Sequence, residues 1–141
     1  MPDPFNLSRF CDAQAGVMDD VRRELAAGQK QSHWMWFVFP QLRGLGRSAT
    51  AVFYGISGLD EAHAYVADPV LGPRLVACTT LVLALHPRTA HEIFGSPDDL
   101  KFHSSMTLFA EAAAGEPVFK EALAKFFEGR PDEATLRRLG V

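Results

Sequence analysis

The sequence predicts an all-α fold, a single domain over residues 1–141 with about six or seven helices and short connections. Three observations point to it. Helix start and stop residues recur along the whole chain. Apolar residues repeat at spacings of three and four. Period-two alternation is scarce, and Trp34 to Phe39 is its one β-like run. A chain of 141 residues fits one domain. Folding at this size buries roughly 68% of the unfolded surface, enough for a real core.

The elements follow in order. From Asn6 to Ala27, Phe10, Ala13, Val17, Val21 and Leu25 fall on one stripe, which predicts a single helix. Asp3 before Pro4 is its expected N-cap, and Gly28 its C-terminal cap. Ser48 opens a helix from Ala49 to Ile56, and Ser57 or Asp60 opens the stretch to Ala67. Asp68-Pro69 opens the next, or Pro73 restarts it, through Leu75, Val76, Thr79, Val82 and Leu83. Thr89 precedes Ala90 to Phe94, with Gly95 after it. In Ser96-Pro97-Asp98-Asp99 an N-cap, a proline and two carboxylates suit the positive end of a helix dipole. Asp19-Asp20 is read as the same kind of dipole partner, with a general acid–base pair as the alternative for either carboxylate pair. Glu116-Pro117 opens a helix closed by Gly129, and Asp132 opens a last turn.

Composition narrows the function classes. Hydrophobic residues make up 48% and charged residues 22%, an ordinary globular balance. The net charge of −3 and isoelectric point near 5.9 exclude a broad electrostatic grip on nucleic acid, leaving room only for a local basic pocket. Cys11 and Cys78 lie far apart and match no metal spacing, so two buried, reduced thiols are expected. The opening MPDPFNLSRF lacks a basic region followed by an apolar one, so no signal peptide is read. The apolar stretch from Val70 to Leu85 is broken by Gly72, Pro73 and Arg74, too short a run to span a bilayer. A cytoplasmic protein, off the membrane, is the expectation.

Three stretches hold candidate chemistry. SHWMWFVFPQL, Ser32 to Leu42, contains both tryptophans. It reads either as a core wedge or as an aromatic wall with His33 and Gln41 as polar handles. Indole N–H groups want partners, which suits a half-polar cleft. As a helix it is capped by Ser32 and ended by Pro40; as a strand it puts Trp34 and Trp36 on one face. RGLGRS, Arg43 to Ser48, is a glycine-rich turn entering a helix. Its backbone N–H groups suit an anion, but its spacing matches no Walker loop or dinucleotide fingerprint. The plainer reading is an ordinary flexible turn with solvated arginines. In DLKFHSSMTLF, Phe102, Met106 and Phe109 form an apolar stripe, with Lys101 and Ser105 on one edge and His103 and Thr107 on the other. Lys101 beside a serine hydroxyl suits anion binding, or a serine–lysine pair if buried; the alternative is a solvated polar edge.

The five histidines share no metal-ligand spacing, so no metal is expected. His63 and His86 read as surface residues. No GxSxG elbow, zinc knuckle or kinase motif set is present, and no cofactor is implied. Glu111, Glu116, Glu121 and Glu128 with Lys120 and Lys125 read as a solvated face.

DPFNLSRF, SHWMWFVFPQL, GLGRSA, VLGPRL, IFGSPDDLKFHSSMTLF and FFEGRPDEATL together resemble a mostly bacterial family of uncharacterised small proteins, catalogued as domain of unknown function eighteen-ten. The resemblance covers nearly the whole chain. It implies an all-helical single domain and no established reaction. It also implies a basic residue, often arginine, where this chain has His103, which argues against a catalytic His103. Some members carry the label calpastatin; a calpastatin segment would be polar and disordered, which a 48% hydrophobic chain is not.

The sequence reading is therefore a small anionic or nucleotide-like ligand in a tryptophan-lined pocket. Trp34, Trp36 and Phe37 are its expected wall, His33 and Gln41 its handles, Lys101, Ser104 and Ser105 its polar end, and Arg47 and Ser48 accessory donors. A hydrolase acting on a phosphate or N-glycosidic bond is one form of it. The alternative is a protein-interaction module using the tryptophan-rich segment, without catalysis.

Overall fold

The computed structural model describes residues 3–141; Met1 and Pro2, the start of the expected 1–141 domain, lie outside the described residues. Among the described residues there are ten helices and no strand, not six or seven helices. They are α1 (Ser8–Gln14), α2 (Met18–Ala27), α3 (Met35–Val38), α4 (Ala49–Phe53), α5 (Leu59–Ala67), α6 (Leu71–Leu83), α7 (Ala90–Phe94), α8 (Asp98–Ala112), α9 (Val118–Phe127) and α10 (Glu133–Leu139).

Part of the excess comes from a break that hydrophobic spacing hides, and part from one- and two-turn elements such as α3 and α10. The expected Asn6–Ala27 helix is two helices, because Gly16 at φ 82° turns the chain between them. The break rotates the buried face: Gln14 and Met18 go inside, while Ala13 and Val17 stay partly exposed. Asp3 caps the turn ahead of α1 rather than a helix at Pro4, accepting from Leu7 N and Ser8 N. The Trp34–Phe39 run is the one-turn α3, and α4 stops at Phe53 rather than Ile56.

Most predicted caps are present. Ser48 accepts from Ala51 N, Thr89 and Glu92 form a reciprocal capping box, and Asp132 accepts from Thr135 N. Ser96 does not cap α8; Pro97 holds that position without a side-chain bond. Lys125 is exposed, as expected, but it is also tethered: its Nζ donates to the carbonyls of Leu83, the last residue of α6, and Leu85.

The long helix α8 is the axis. Helices α5, α7, α9 and α10 pack on it, and every residue from Ser104 to Ala110 is buried. Two aromatic chains converge there. Phe10 meets Tyr65 at 5.0 Å, Tyr65 meets Phe109 at 5.4 Å, and Phe109 meets Phe119 at 5.6 Å. On the other side Phe39 stands edge-on to Phe102 at 5.1 Å, and Phe94 stacks on Phe102 at 4.6 Å. Such pairs add about 0.5–1.5 kcal/mol each beyond their burial. Cys11 is partly buried and Cys78 fully so; both are free, and burial pushes the Cys78 thiol up to about 11.

One buried charge ties α1 to the chain around α5. All five N–H donors of Arg9 are used. Nε bonds Phe53 O, Nη1 bonds Phe5 O and Asn6 O, and Nη2 bonds Gly55 O and the Glu61 carboxylate at 2.7 Å. The other Glu61 oxygen accepts from Ser57 N and Oγ. Both side chains are almost fully buried, so removing one strands the other. Arg9→Ala is expected to cost about 3–5 kcal/mol in urea unfolding, and Arg9→Met with Glu61→Leu to recover most of it. A loss below about 1 kcal/mol for the single variant would contradict a buried pair.

Candidate functional site

The tryptophan-rich stretch is organised from behind by Glu24 on α2. Its Oε1 accepts from Gln31 N at 2.7 Å, Ser32 N at 2.8 Å and the Trp34 indole at 3.0 Å. Its Oε2 accepts from Ser32 Oγ at 2.6 Å. Burial opposes the charge, but the bonds from Ser32, Gln31 and Trp34 outweigh it and hold the carboxyl at about 2, below its ordinary 4.5. Trp34 is thereby locked inside at 2% exposure. Ser32 serves this cluster rather than capping α3.

This stretch does face the α8 stretch. Lys30 Nζ stands 5.2 Å over the Trp34 ring and pairs with Asp98 at 2.8 Å. Asp98 also reaches Lys101 at 3.3 Å, whose Nζ lies 4.6 Å over the Trp36 ring. Glu24, Trp34, Lys30, Asp98, Lys101 and Trp36 thus form one connected run of charges and rings across the seam. The cavity left between the two stretches, lined by Met35, Trp36, Phe39, Gln41, Tyr54 and Lys101 among others, is about 10 Å³. That is the room of one water, against about 300–1,000 Å³ for a small-molecule site.

The remaining predicted residues disperse. His33 and Arg47 are exposed. Phe37 packs on Tyr54 at 5.5 Å, and its carbonyl accepts from Gln14. Ser48 caps α4. Ser104 Oγ reaches Asp132 at 3.2 Å, at the start of α10. Ser105 is fully buried, and its hydroxyl has no hydrogen-bond partner; it makes no bond to Lys101.

A larger opening lies elsewhere. A parallel bridge joins Leu42 to Ile56, and beside it an open cleft of about 890 Å³ runs along the start of α5 to the end of α10. Arg43 and Arg138 both line it, with Asp60 as its acidic residue and Phe5, Leu42, Leu59 and Leu139 as apolar walls. Backbone carbonyls set both arginines: Arg43 Nη2 donates to Gly55 O at 3.0 Å, and Arg138 Nε to Arg43 O at 2.8 Å. Arg138 lies flat on Gly44. At φ 102° a Cβ there would stand 2.1 Å from Arg138 Nη2, so only glycine admits this contact. Sequence reasoning reached RGLGRS but missed Arg138, which reads as an ordinary cation in the last turn of a helix.

Among the described residues no group of three or more His, Cys, Asp or Glu stands ready to hold a metal ion. No single helix is long and apolar enough to cross a membrane.

A helical protein built round one buried axial helix, with an arginine-lined cleft at its edge, is the class these features define. The chain belongs to the family described as Protein of unknown function (DUF1810), whose model matches residues 4–139. It is similar to the crystal structure of the conserved hypothetical protein Rv1873 from Mycobacterium tuberculosis, with 56% identity over 99% of each chain and a TM-score of 0.97. No curated protein matches it.

The Glu24 cluster predicts an acid limb in stability. A carboxyl depressed from 4.5 to about 2 stabilises the fold above about pH 4.5, and the contribution is lost as pH falls toward 2. Glu24→Gln is expected to cost about 1–3 kcal/mol at neutral pH and to flatten the pH dependence between those limits. Urea unfolding at several pH values checks this, and an unchanged slope in the variant would count against the cluster.

Proposed function

We propose that the protein binds a small anionic ligand with a planar or apolar body, nucleotide-like in outline, in the cleft between Arg43 and Arg138. One observation carries the reading: two guanidiniums 95 positions apart in sequence are fixed by backbone carbonyls into one cleft of about 890 Å³. Guanidinium forks suit oxyanions, and the volume suits a nucleotide-sized molecule. Phe5, Leu42, Leu59 and Leu139 offer the apolar contact. The ligand class is the one read from the sequence; the place is the cleft rather than the Trp36–Lys101 seam, whose cavity of about 10 Å³ is filled by its own side chains.

Binding, rather than hydrolysis, is the reading. Ser57 supplies a hydroxyl at the cleft, but its Oγ donates to Glu61 at 2.8 Å, and Glu61 is itself locked to Arg9. The free thiols Cys11 and Cys78 support a reducing, cytoplasmic setting. A second reading, a protein partner, is favoured by Val52 and Phe53 on α4, 47% and 53% exposed; it moves the interaction surface from the tryptophans to α4. Phe53→Ser would then lose a partner that wild type retains in a pull-down.

Thermal shift with adenosine monophosphate, ADP-ribose and ribose 5-phosphate tests the cleft. Ligand at about one hundred times its Kd stabilises by about 2.7 kcal/mol, a rise of several degrees in Tm. The rise is expected in wild type and Lys101→Ala and should vanish in Arg138→Gln. No rise with any anion, or a rise lost only in Lys101→Ala, would overturn the placement.

A further inference from the structure

We propose that α10 is a polar-latched lid on the cleft, and that a phosphomonoester held by Arg43 and Arg138 keeps it shut. This rests on the cleft being the ligand site.

The helix α10 is attached less deeply than its neighbours α8 and α9. Of its residues only Thr135 is buried, whereas α9 buries Val118, Phe119, Ala122 and Leu123 and α8 buries eight residues. Beside the partly buried Leu139, hydrogen bonds dock it and close its first turn. Asp132 N donates to Thr107 Oγ1 at 2.8 Å. Asp132 Oδ2 accepts from Thr135 N and Oγ1, and Ser104 Oγ approaches it at 3.2 Å while sharing its proton with Leu100 O. His103 Nε2 donates to Arg130 O at 2.7 Å. At the far end Arg138 Nε donates to Arg43 O. Bonds of this kind exchange with water at little net cost, whereas apolar burial does not. A segment held this way opens below the global unfolding free energy.

Opening α10 would carry Arg138 and Leu139, one wall of the cleft, away from Arg43 and Leu42. A ligand that contacts both arginines binds only the shut form and shifts the population toward it. Two guanidinium forks on different elements favour a phosphomonoester. Its dianion brings three oxygens to two cations, while a carboxylate satisfies a single fork. Asp60 is the one acidic residue lining the cleft beside these two cations.

Hydrogen exchange on the full-length protein tests both halves, with phenyl phosphate as probe and benzoate as control. Amides of α10 should exchange well before those of α8. Thr107→Val removes the acceptor for Asp132 N, at the end of α10 opposite Arg138, and should speed exchange in α10 about tenfold with α8 unchanged. Phenyl phosphate should slow α10 in wild type but not in Arg138→Gln, and benzoate should not. Exchange of α10 in step with α8, or Thr107→Val speeding both alike, overturns the lid whatever the cleft binds. Phenyl phosphate that binds by calorimetry without slowing α10 overturns the coupling and leaves the cleft reading standing. Failure of phenyl phosphate to bind overturns that reading and the ligand-closed half of the lid with it, while the Thr107→Val arm still decides the latch.

Discussion

The Glu24 carboxylate is the point on which the middle of the chain turns. Buried without a cation, such a group is costly unless its lone pairs are met. Here two backbone N–H groups, a hydroxyl and an indole meet them. The same bonds set the path of residues 31–34 and drive Trp34 inward. With Trp34 fixed, the single turn of α3 delivers Phe39 to Phe102 and Trp36 to Lys101. The chain then reaches Leu42 in register to pair with Ile56, which places Arg43 at the cleft.

The arginines divide by how they are used. Arg9 spends every donor on the protein and is buried, so it is structure. Arg43 and Arg138 are exposed and tethered by a hydrogen bond apiece to a backbone carbonyl. A tethered, exposed guanidinium is oriented in advance, so less side-chain entropy is lost when an anion arrives. The tryptophans show the reverse: the residues most suggestive of a binding wall are tied into packing by Glu24 and two lysines.

Local rules were legible in the sequence, and long-range ones were not. The caps at Ser48, Thr89 and Asp132 depend on neighbours within three residues, and the sequence displays them. The break at Gly16 was hidden because the apolar spacing runs on through it. Glu24 reads as a solvated helix residue, since its partners lie a turn and a loop away. That the tryptophan stretch faces α8 was legible as a question; how tightly the seam closes depends on side-chain volumes from several elements. Arg138 was out of reach, because its role depends on Gly44, which touches it in the fold but lies far from it in the sequence.

Residue-resolved NMR during titration with phenyl phosphate tests the central claim most directly: the aromatic seam is structure and the arginine cleft is the site. The account predicts saturable shifts at residues 42–44, 57–60 and 138–139 and at the Arg138 Nε–H, with the Trp34 indole N–H unmoved. Saturable shifts centred on Trp34, Trp36 and Lys101, with the cleft silent, would contradict it.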